Sequence, residues 1–412
     1  MEFMRYAAAV LFCASTAFAQ QVTTPDKLPA AVRAFDDSQA HNPLPCTVQP
    51  VKPALNFGFR FQTGYVLETS FDPYLGGRHH WYIVFSVTPD SSPGQAASPP
   101  VCFLDSIDVP APRQTGFIAE NTGAFQTGEG RYDVKWSLLD DLGRVCRQEW
   151  TVDAHLSASE RSEKVAMPPG TSGDFSWRPA ATANALTKSR RVTVMLNAAM
   201  PVVRQVGPPT DRWEMVLSML ASLVEQMPDA NVRVVAFDTT QQRELFRKDD
   251  FTAADINDVA HLANAKERWA VDYQVLQNPS GGWDLLRDLE NKEINATVPS
   301  DTVIFLGVQQ ARFDKMPPGM PGPQATPRFF YLKYPAPAVF PRNIVVNGGR
   351  GGGRAMGPDR EGTSPLTLPG AADQPDLVEQ SVRRLNGKTF FISSPANFSK
   401  ALATIQRATI GR

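Results

Sequence analysis

The stretch Arg191-Val192-Thr193-Val194-Met195-Leu196, which runs directly into Asn197-Ala198-Ala199-Met200-Pro201, decides the fold predicted for the second half of the chain. Its apolar and β-branched side chains are typical of a buried strand. Residues 211–227 then carry apolar side chains at helical spacing, and residues 231–238 form the pattern of another strand. Buried strands that alternate with helices indicate a mostly parallel sheet covered by helices, so we expect an α/β domain over residues 190–412.

The end of the chain continues this alternation. A helical pattern over residues 376–385 stops at Asn386-Gly387, a frequent signal for the end of a helix. A last strand follows at residues 388–392, and Ser394-Pro395 begins a closing helix. Residues 335–375 form an insert rich in Pro and Gly, which we expect to be a flexible loop because it has too few apolar residues to fold alone.

Four local patterns give this region a resemblance to the von Willebrand factor type A family. They are the strand that ends at Asn197 with the long helix after it, residues 232–238, residues 280–289, and residues 386–392 with the helix after them. The order of an export signal, a β domain and this module is also similar to secreted bacterial proteins with a von Willebrand factor A-related domain. The resemblance implies a Rossmann-like fold for residues 190–412.

Members of that family bind a divalent cation at the carboxyl edge of the sheet, where such ions require hard oxygen ligands. The resemblance places Asn197, Ala199, Pro201, Trp283 and Val308 at the corresponding positions. Methyl groups and an indole cannot bind magnesium, and a single amide binds it weakly. We therefore expect a degenerate site without metal, and no other cofactor. The alternative is a site rebuilt by Asp211, Asp238 or Asp284.

The first residues have the layout of a secretory signal. Arg5 is followed by an apolar run over residues 6–14 and by the cleavage pattern Ala17-Phe18-Ala19. We expect cleavage after Ala19, which would leave an exported chain, periplasmic or extracellular, with no membrane span. A membrane anchor is the alternative, but the run is short for a bilayer. Residues 20–47 are polar and predict a flexible segment.

Residues 48–155 have the pattern of an all-β domain. Residues 131–138 and 145–152 alternate apolar and polar side chains around the hairpin-type connection at 140–143. Several such strands favour a sandwich of immunoglobulin-like size. Its tryptophans predict core, with an exposed carbohydrate-binding platform as the alternative; they are Trp81, Trp136 and Trp150. Residues 156–189 lack periodicity and predict a linker. The predicted fold class is thus an immunoglobulin-like sandwich followed by an α/β Rossmann-like von Willebrand A-type domain.

Three cysteines remain once Cys13 leaves with the signal, and an exported protein can form disulfides. Three is odd, so at least one thiol lies outside an intrachain pair. Cys102 and Cys146 are the candidate disulfide because both lie in strand patterns of the β domain. Cys46–Cys102 is the rival pairing, and three separate thiols are the third alternative.

Patterns of catalytic residues are missing from the sequence. His79-His80 predict an ordinary polar pair in a loop. On a strand their side chains would point to opposite faces, so they do not predict a shared metal ion. The sequence has neither an H-E-x-x-H nor a G-x-S-x-G motif. The carboxylates at Asp140-Asp141 predict a solvated hairpin tip, and the glycine run from Gly348 predicts a flexible insert rather than a phosphate loop.

Lys plus Arg (41) nearly cancel Asp plus Glu (42), so the charge balance does not indicate a nucleic-acid binder. We expect a non-enzymatic exported protein that binds an envelope or extracellular protein through the degenerate metal site. Metal-dependent adhesion through rearranged ligands is the alternative. An enzyme of unrecognised type is the third class, and loss of activity on changing a clustered acid, Ser or His would support it.

Overall fold

The structure is a computed structural model, and it describes residues 20–30, 32–33, 42–90, 99–111, 116–174, 190–199, 210–263, 273–278, 280–310, 316–335 and 375–410. The predicted signal at 1–19, Pro201 and residues 336–374 of the predicted insert lie outside the described residues. The chain divides into two compact units, Met1–Ser176 and Trp177–Arg412.

The described residues of the first unit form mainly strands, with short 3-10 helices at Pro25–Lys27 and Asp72–Tyr74 and helical residues at 30 and 32–33. Its strands are β1 (Gln21–Thr23), β2 (Cys46–Leu55), β3 (Phe61–Ser70), β4 (His79–Pro89), β5 (Val101–Val109), β6 (Ile118–Thr127), β7 (Gly130–Asp140), β8 (Val145–Ala154) and β9 (Ser172–Gly173). They form a five-stranded sheet in the order β1-β5-β4-β7-β8 and a four-stranded sheet in the order β2-β3-β6-β9. All pairings between these strands are antiparallel.

Aromatic side chains pack the two sheets of the first unit against each other. Along β4, buried residues alternate with partly exposed ones, so one face points to the core and the other outward. From the opposite sheet, the ring of Tyr65 lies 5.7 Å from that of Phe85 and 5.3 Å from that of Trp136. Trp81 is buried as well, so the core prediction for Trp81 and Trp136 is confirmed, whereas Trp150 is partly exposed.

A disulfide joins Cys46 on β2 to Cys146 on β8, with Cα atoms 6.2 Å apart, and so links the two sheets. The predicted pair Cys102–Cys146 and its rival Cys46–Cys102 are therefore wrong. Two strands, β4 and β7, lie between Cys102 on β5 and Cys146 on β8. Strands about 4.8 Å apart place those Cα atoms roughly 14 Å from each other, and a disulfide spans at most about 7 Å. Cys102 is buried in the core.

The second unit contains one six-stranded sheet in the order β12-β11-β10-β13-β14-β15. The strands are β10 (Arg190–Asn197), β11 (Ala230–Asp238), β12 (Arg243–Lys248), β13 (Thr302–Val308), β14 (Arg328–Tyr334) and β15 (Lys388–Phe391). The helices are α1 (Thr210–Glu225), α2 (Ile256–Ala260), α3 (Tyr273–Gln277), α4 (Gly281–Ile294), α5 (Leu377–Arg384) and α6 (Pro395–Ile410). Short 3-10 helices flank α2 at Ala253–Asp255 and His261–Ala263.

The core of the second unit includes a cluster in which α4 and α5 cover one face of the sheet. Met195 of β10 and Phe305 of β13 lie in this cluster with Trp283 of α4 and Val382 of α5. Helix α5 begins at its N-cap Asp376, whose side chain accepts from the Glu379 backbone N at 2.9 Å. Strands β10, β11, β13, β14 and β15 pair in parallel, so their carboxyl ends meet at one edge of the sheet.

The predicted fold class, an immunoglobulin-like sandwich followed by an α/β Rossmann-like domain, is wrong. The chain is mostly β, with three sheets, 42% strand and 25% helix, and the described residues show no clear Rossmann-like arrangement. The six-stranded sheet is only partly parallel, because β12 returns antiparallel to β11 after a turn at residues 239–242. A turn this short cannot provide the crossover that a parallel strand needs. Residues 253–263 form three short consecutive pieces of 3-10 helix and α-helix and not one long helix.

None of the helices in the described ranges combines the length and the apolar character needed to cross a bilayer.

Candidate functional site

The structure places the described members of the predicted interaction rim at the carboxyl edge of the six-stranded sheet, but it buries them. Asn197 ends β10, Val308 ends β13 and Trp283 lies in the first turn of α4. Exposure is 3% for Asn197, 1% for Ala199, 1% for Trp283 and 2% for Val308. Pro201 lies outside the described residues. A partner therefore cannot contact these four side chains without displacing the residues that cover them.

Backbone and amide groups connect the ends of β10 and β13. The Asn197 Oδ1 accepts from the Ala199 backbone N at 3.1 Å, which folds the chain into a turn as it leaves the strand. The Gln310 Nε2 donates to the carbonyls of Ala199, at 2.7 Å, and of Val308, at 2.9 Å. Gln310, which the sequence did not single out, thus joins two predicted rim positions from within the protein. The Asn197 Nδ2 has no hydrogen-bond partner among the described residues.

A buried ion cluster lies beside this connection. Lys333, near the end of β14, is 4% exposed, and its Nζ lies 2.6 Å from the Glu379 Oε2 and 3.8 Å from the Asp376 Oδ2. Arg383 donates to the other Glu379 oxygen at 2.5 Å. Asp376 accepts from the Tyr331 hydroxyl at 3.2 Å and from the Gln310 backbone N at 3.3 Å. An internal ammonium therefore already balances the carboxylates at this edge.

Burial dominates the ionisation of this cluster. It raises the pKa of the Asp376 carboxyl, against the opposing effects of the Glu379 backbone amide and the Lys333 ammonium. Burial also raises the pKa of the Tyr331 phenol well above its ordinary value, and the neighbouring Asp376 carboxylate adds to the effect. Tyr331 consequently acts as a hydrogen-bond donor to Asp376 and not as a base.

The acidic residues named as alternative metal ligands have other partners. The Asp238 Oδ1 accepts from the backbone N of Thr240 at 2.8 Å and of Gln241 at 2.9 Å, which holds the turn after β11. Asp284 pairs with Arg287 one turn further along α4, at 3.0 Å. The side chain of Asp211 is not among those described. Within the described part of the chain, no group of three or more His, Cys, Asp or Glu side chains is placed to hold a metal ion.

Two exposed apolar side chains near this edge come from α3. Tyr273 is 71% exposed and Leu276 is 66% exposed, and their spacing of three residues puts them on one side of the helix. Gln242, in the turn after β11, donates through its Nε2 to the carbonyls of Val275, at 3.2 Å, and Asn278, at 2.6 Å. This contact fixes the end of α3 to the carboxyl end of β11.

Sequence reasoning missed the residues that organise this edge, although one signal was present. Lys333 interrupts the apolar run Phe329-Phe330-Tyr331-Leu332, and a charge inside such a buried strand needs a partner. That partner, Glu379, lies 46 positions further along the chain, after the predicted insert. Local patterns do not reveal a pairing over this distance.

Comparisons with known proteins do not place this chain in a family. No family model matches it, and no curated protein matches it. Among solved structures, the crystal structure of a protein named ApaA from Bordetella pertussis is 8% identical in sequence to this chain, with a TM-score of 0.18. The match covers 28% of this chain and 98% of the other. A lipoprotein from Bacteroides thetaiotaomicron is 9% identical with a TM-score of 0.14 and covers 31% of this chain and 94% of its own. Similarity at this level does not establish a shared fold or function.

Proposed function

We propose that this chain is an exported protein whose second unit binds another protein, and that this second unit neither catalyses a reaction nor holds a metal ion. Export rests on the signal pattern at residues 1–19. A relationship of the second unit to the von Willebrand factor type A family is part of the proposal and rests on the four sequence patterns. The partner is an envelope or extracellular protein.

The observation that carries the proposal is the position of Lys333. Its Nζ lies within 4 Å of both Asp376 and Glu379, at 3.8 Å and 2.6 Å. Two buried carboxylates at a strand end would otherwise attract a divalent cation, which prefers such oxygen ligands. Because an ammonium occupies the space between them, binding of a cation would require expulsion of a buried lysine.

The contact surface that we propose centres on the exposed Tyr273 and Leu276 of α3, which Gln242 holds at the carboxyl end of β11. The rim residues Asn197, Ala199, Trp283 and Val308 are buried at the same edge of the sheet. Aromatic and apolar side chains that are exposed next to an ordered edge are typical of protein contacts. The proposed contact is therefore made by the exposed side chains of α3 and not by the buried rim residues.

Titration calorimetry separates the proposal from metal-dependent adhesion. Magnesium, manganese and calcium are each titrated into the purified mature chain, and we expect no saturable heat. Capture of partners from an envelope extract should be the same with and without a chelator. Saturable binding of one ion per chain, or partners that are lost on chelation, would instead favour the alternative with rearranged ligands.

Paired surface variants test the location of the contact. The double variant Tyr273→Ser/Leu276→Ser should lose the captured partner. Val298→Ser is the matched control, because Val298 is 47% exposed and precedes β13, at the opposite end of the sheet strands. Equal capture by the double variant and the wild type would exclude α3 as the contact.

A further inference from the structure

In the first unit, the side chains of a serine, a histidine and an aspartate are connected in a row by hydrogen bonds. The Ser106 Oγ is 2.7 Å from the His80 Nε2, and the Asp108 Oδ1 is 3.0 Å from the His80 Nδ1. Each ring nitrogen thus contacts a different group, with the hydroxyl on one side and the carboxylate on the other. This is the order in which a nucleophile, its base and the group that orients the base are arranged in serine hydrolases.

The register of the five-stranded sheet produces this arrangement. His80 on β4 lies directly opposite Asp108 on β5, and Tyr82 lies opposite Ser106. Side chains two residues apart on a strand share a face, so Ser106 and Asp108 both lie on the face of His80. Trp81 and Ile83 are buried in the core, so His80 and Tyr82 belong to the outward face of this sheet.

The partners of the imidazole fix its tautomer. The Asp108 carboxylate only accepts hydrogen bonds, so the Nδ1 of His80 carries the proton that is donated to it. The Nε2 of the neutral ring is then an acceptor, and the Ser106 hydroxyl donates to it. The Tyr82 ring packs edge-on against the imidazole, with centroids 4.5 Å apart, and limits its rotation. The hydroxyl proton therefore points at a base that can accept it.

We propose that Ser106 is an activated nucleophile that hydrolyses small, uncharged esters, with His80 as its base and Asp108 as the residue that orients the base. The Ser106 Oγ would form a bond to the ester carbonyl carbon while the His80 Nε2 takes the hydroxyl proton. The bond from carbon to the alkoxy oxygen breaks, and the alcohol leaves with the proton from His80. Water then attacks the acyl-serine by the same route, releasing the carboxylic acid and restoring Ser106.

The exposure of the His80 and Asp108 side chains sets the class of substrate. The side chain of His80 is 30% exposed and that of Asp108 is 72% exposed. An open sheet face admits small esters and offers few contacts to a long chain or a peptide. The proposal concerns the first unit and is independent of partner binding by the second.

Neighbouring His79 provides an internal control. Its Nδ1 contacts the Asp141 Oδ1 at 2.9 Å, so it forms the same histidine–carboxylate pair. The contacts described for the imidazole of His79 do not include a serine. A reaction that needs only an oriented imidazole would occur at His79 as well, whereas a reaction at Ser106 needs His80.

The test is covalent labelling of the full-length mature chain with a fluorophosphonate, read by peptide mass spectrometry, together with turnover of p-nitrophenyl acetate. We expect the label on Ser106, and a loss of labelling and turnover of about tenfold or more in His80→Gln, because base catalysis contributes about 10²- to 10⁴-fold. Ser106→Ala should abolish both, and His79→Gln should change neither.

Two outcomes would overturn the proposal. One is equal labelling of Ser106 in the wild type and in His80→Gln. The contact between Ser106 and His80 would then be a polar contact between strands without a catalytic role. The other is a label on Ser106 no stronger than on the exposed Ser162 of the same unit. Circular dichroism of each variant excludes unfolding as the cause, and partner capture by the same variants shows that the second unit is unaffected.

Discussion

The two units treat a buried carboxyl group in opposite ways. In the first, Asp140 is 3% exposed, and its carboxylate accepts from the Tyr74 hydroxyl at 3.0 Å and from the Arg144 Nε at 2.7 Å. Its other oxygen accepts from the backbone N of Leu142 and of Arg144. In the second, Glu290 is 0% exposed and accepts from the Ser381 hydroxyl at 2.5 Å, while its Oε2 has no partner among the described residues.

The difference shows that the donors around a buried carboxyl group decide how much its burial costs. Asp140 has an arginine and several N–H and O–H donors, which replace the water lost on burial. Glu290 has one hydroxyl, and burial raises its pKa to about 8 despite the opposing effect of Ser381. The fold supplies hydrogen-bond donors to both oxygens of Asp140, whereas Glu290 is compatible with its fold mainly in the protonated form.

Asp140→Ala should have the largest effect, because it leaves Arg144 and the Tyr74 hydroxyl without their buried acceptor. Breaking a buried pair in this way costs about 3–5 kcal/mol. Hydrogen exchange should show the loss in the first unit alone, with the second unit as internal reference. Asp141→Ala, at a side chain 38% exposed, is the control and should have a smaller effect. Equal protection from hydrogen exchange in the wild type and in Asp140→Ala would contradict the difference described between the buried carboxyl groups of the two units.

Replacing both Cys46 and Cys146 by Ser should destabilise the first unit by about 2–4 kcal/mol, because the bond closes a long loop between residues 100 positions apart. Denaturation of oxidised and reduced wild type measures the same quantity without a substitution. A double variant as stable as the oxidised wild type would show that the sheets need no covalent link.

Glu290→Gln should change the pH dependence of the second unit. The ordinary pKa of glutamate is about 4.5 and that of Glu290 in the folded protein is about 8, so the folded state binds more protons between these values. Stability therefore falls as pH rises from about 4.5 to about 8, and stays low above that. The variant should lack this slope, and at pH 9 it should be more stable than the wild type by roughly 4–5 kcal/mol, because each pKa unit corresponds to about 1.4 kcal/mol.

Asp288→Asn on the same helix is the control for that measurement, because its side chain is 65% exposed and its effect should be small. Parallel pH profiles for wild type and Glu290→Gln would mean that Glu290 ionises normally in the folded protein.

The double variant Tyr273→Ser/Leu276→Ser should have the smallest effect on stability, within about 0.5 kcal/mol of the wild type, because both side chains are exposed. Thermal unfolding measures this directly. A larger loss would mean that the pair packs against the unit, and the loss of a partner could then no longer be assigned to a missing contact.

Sequence patterns predicted what depends on neighbouring residues. Alternation located the strand around Trp136, and the hairpin at residues 140–143 joins β7 to β8 as expected. The same local view misjudged Asp140, predicted to be solvated, because its burial depends on Tyr74, 66 positions earlier in the chain. It also missed β12, a charged edge strand whose residues lack an apolar pattern.

The candidate site was predicted less well, because it depends on contacts between distant segments. The positions of Asn197 and Val308 at strand ends follow from the strand pattern. Their burial depends on side chains such as Gln310 and on the ion cluster around Lys333, which pairs with a residue of α5. Whether a residue at a strand end is exposed is set by what packs over it, and local spacing does not contain that information.

The disulfide joins Cys46 to Cys146, although Cys102 lies between them in the sequence. Because the chain is synthesised from its N-terminus, this order affects how the bond can form. As the chain emerges, Cys46 meets Cys102 before Cys146 is available. An oxidase that joins cysteines in order of appearance would therefore trap the wrong pair. From such a pair, the native bond would form only by thiol–disulfide exchange. Once formed, the native bond also keeps the unit in one piece if a protease cuts the chain anywhere between the two cysteines.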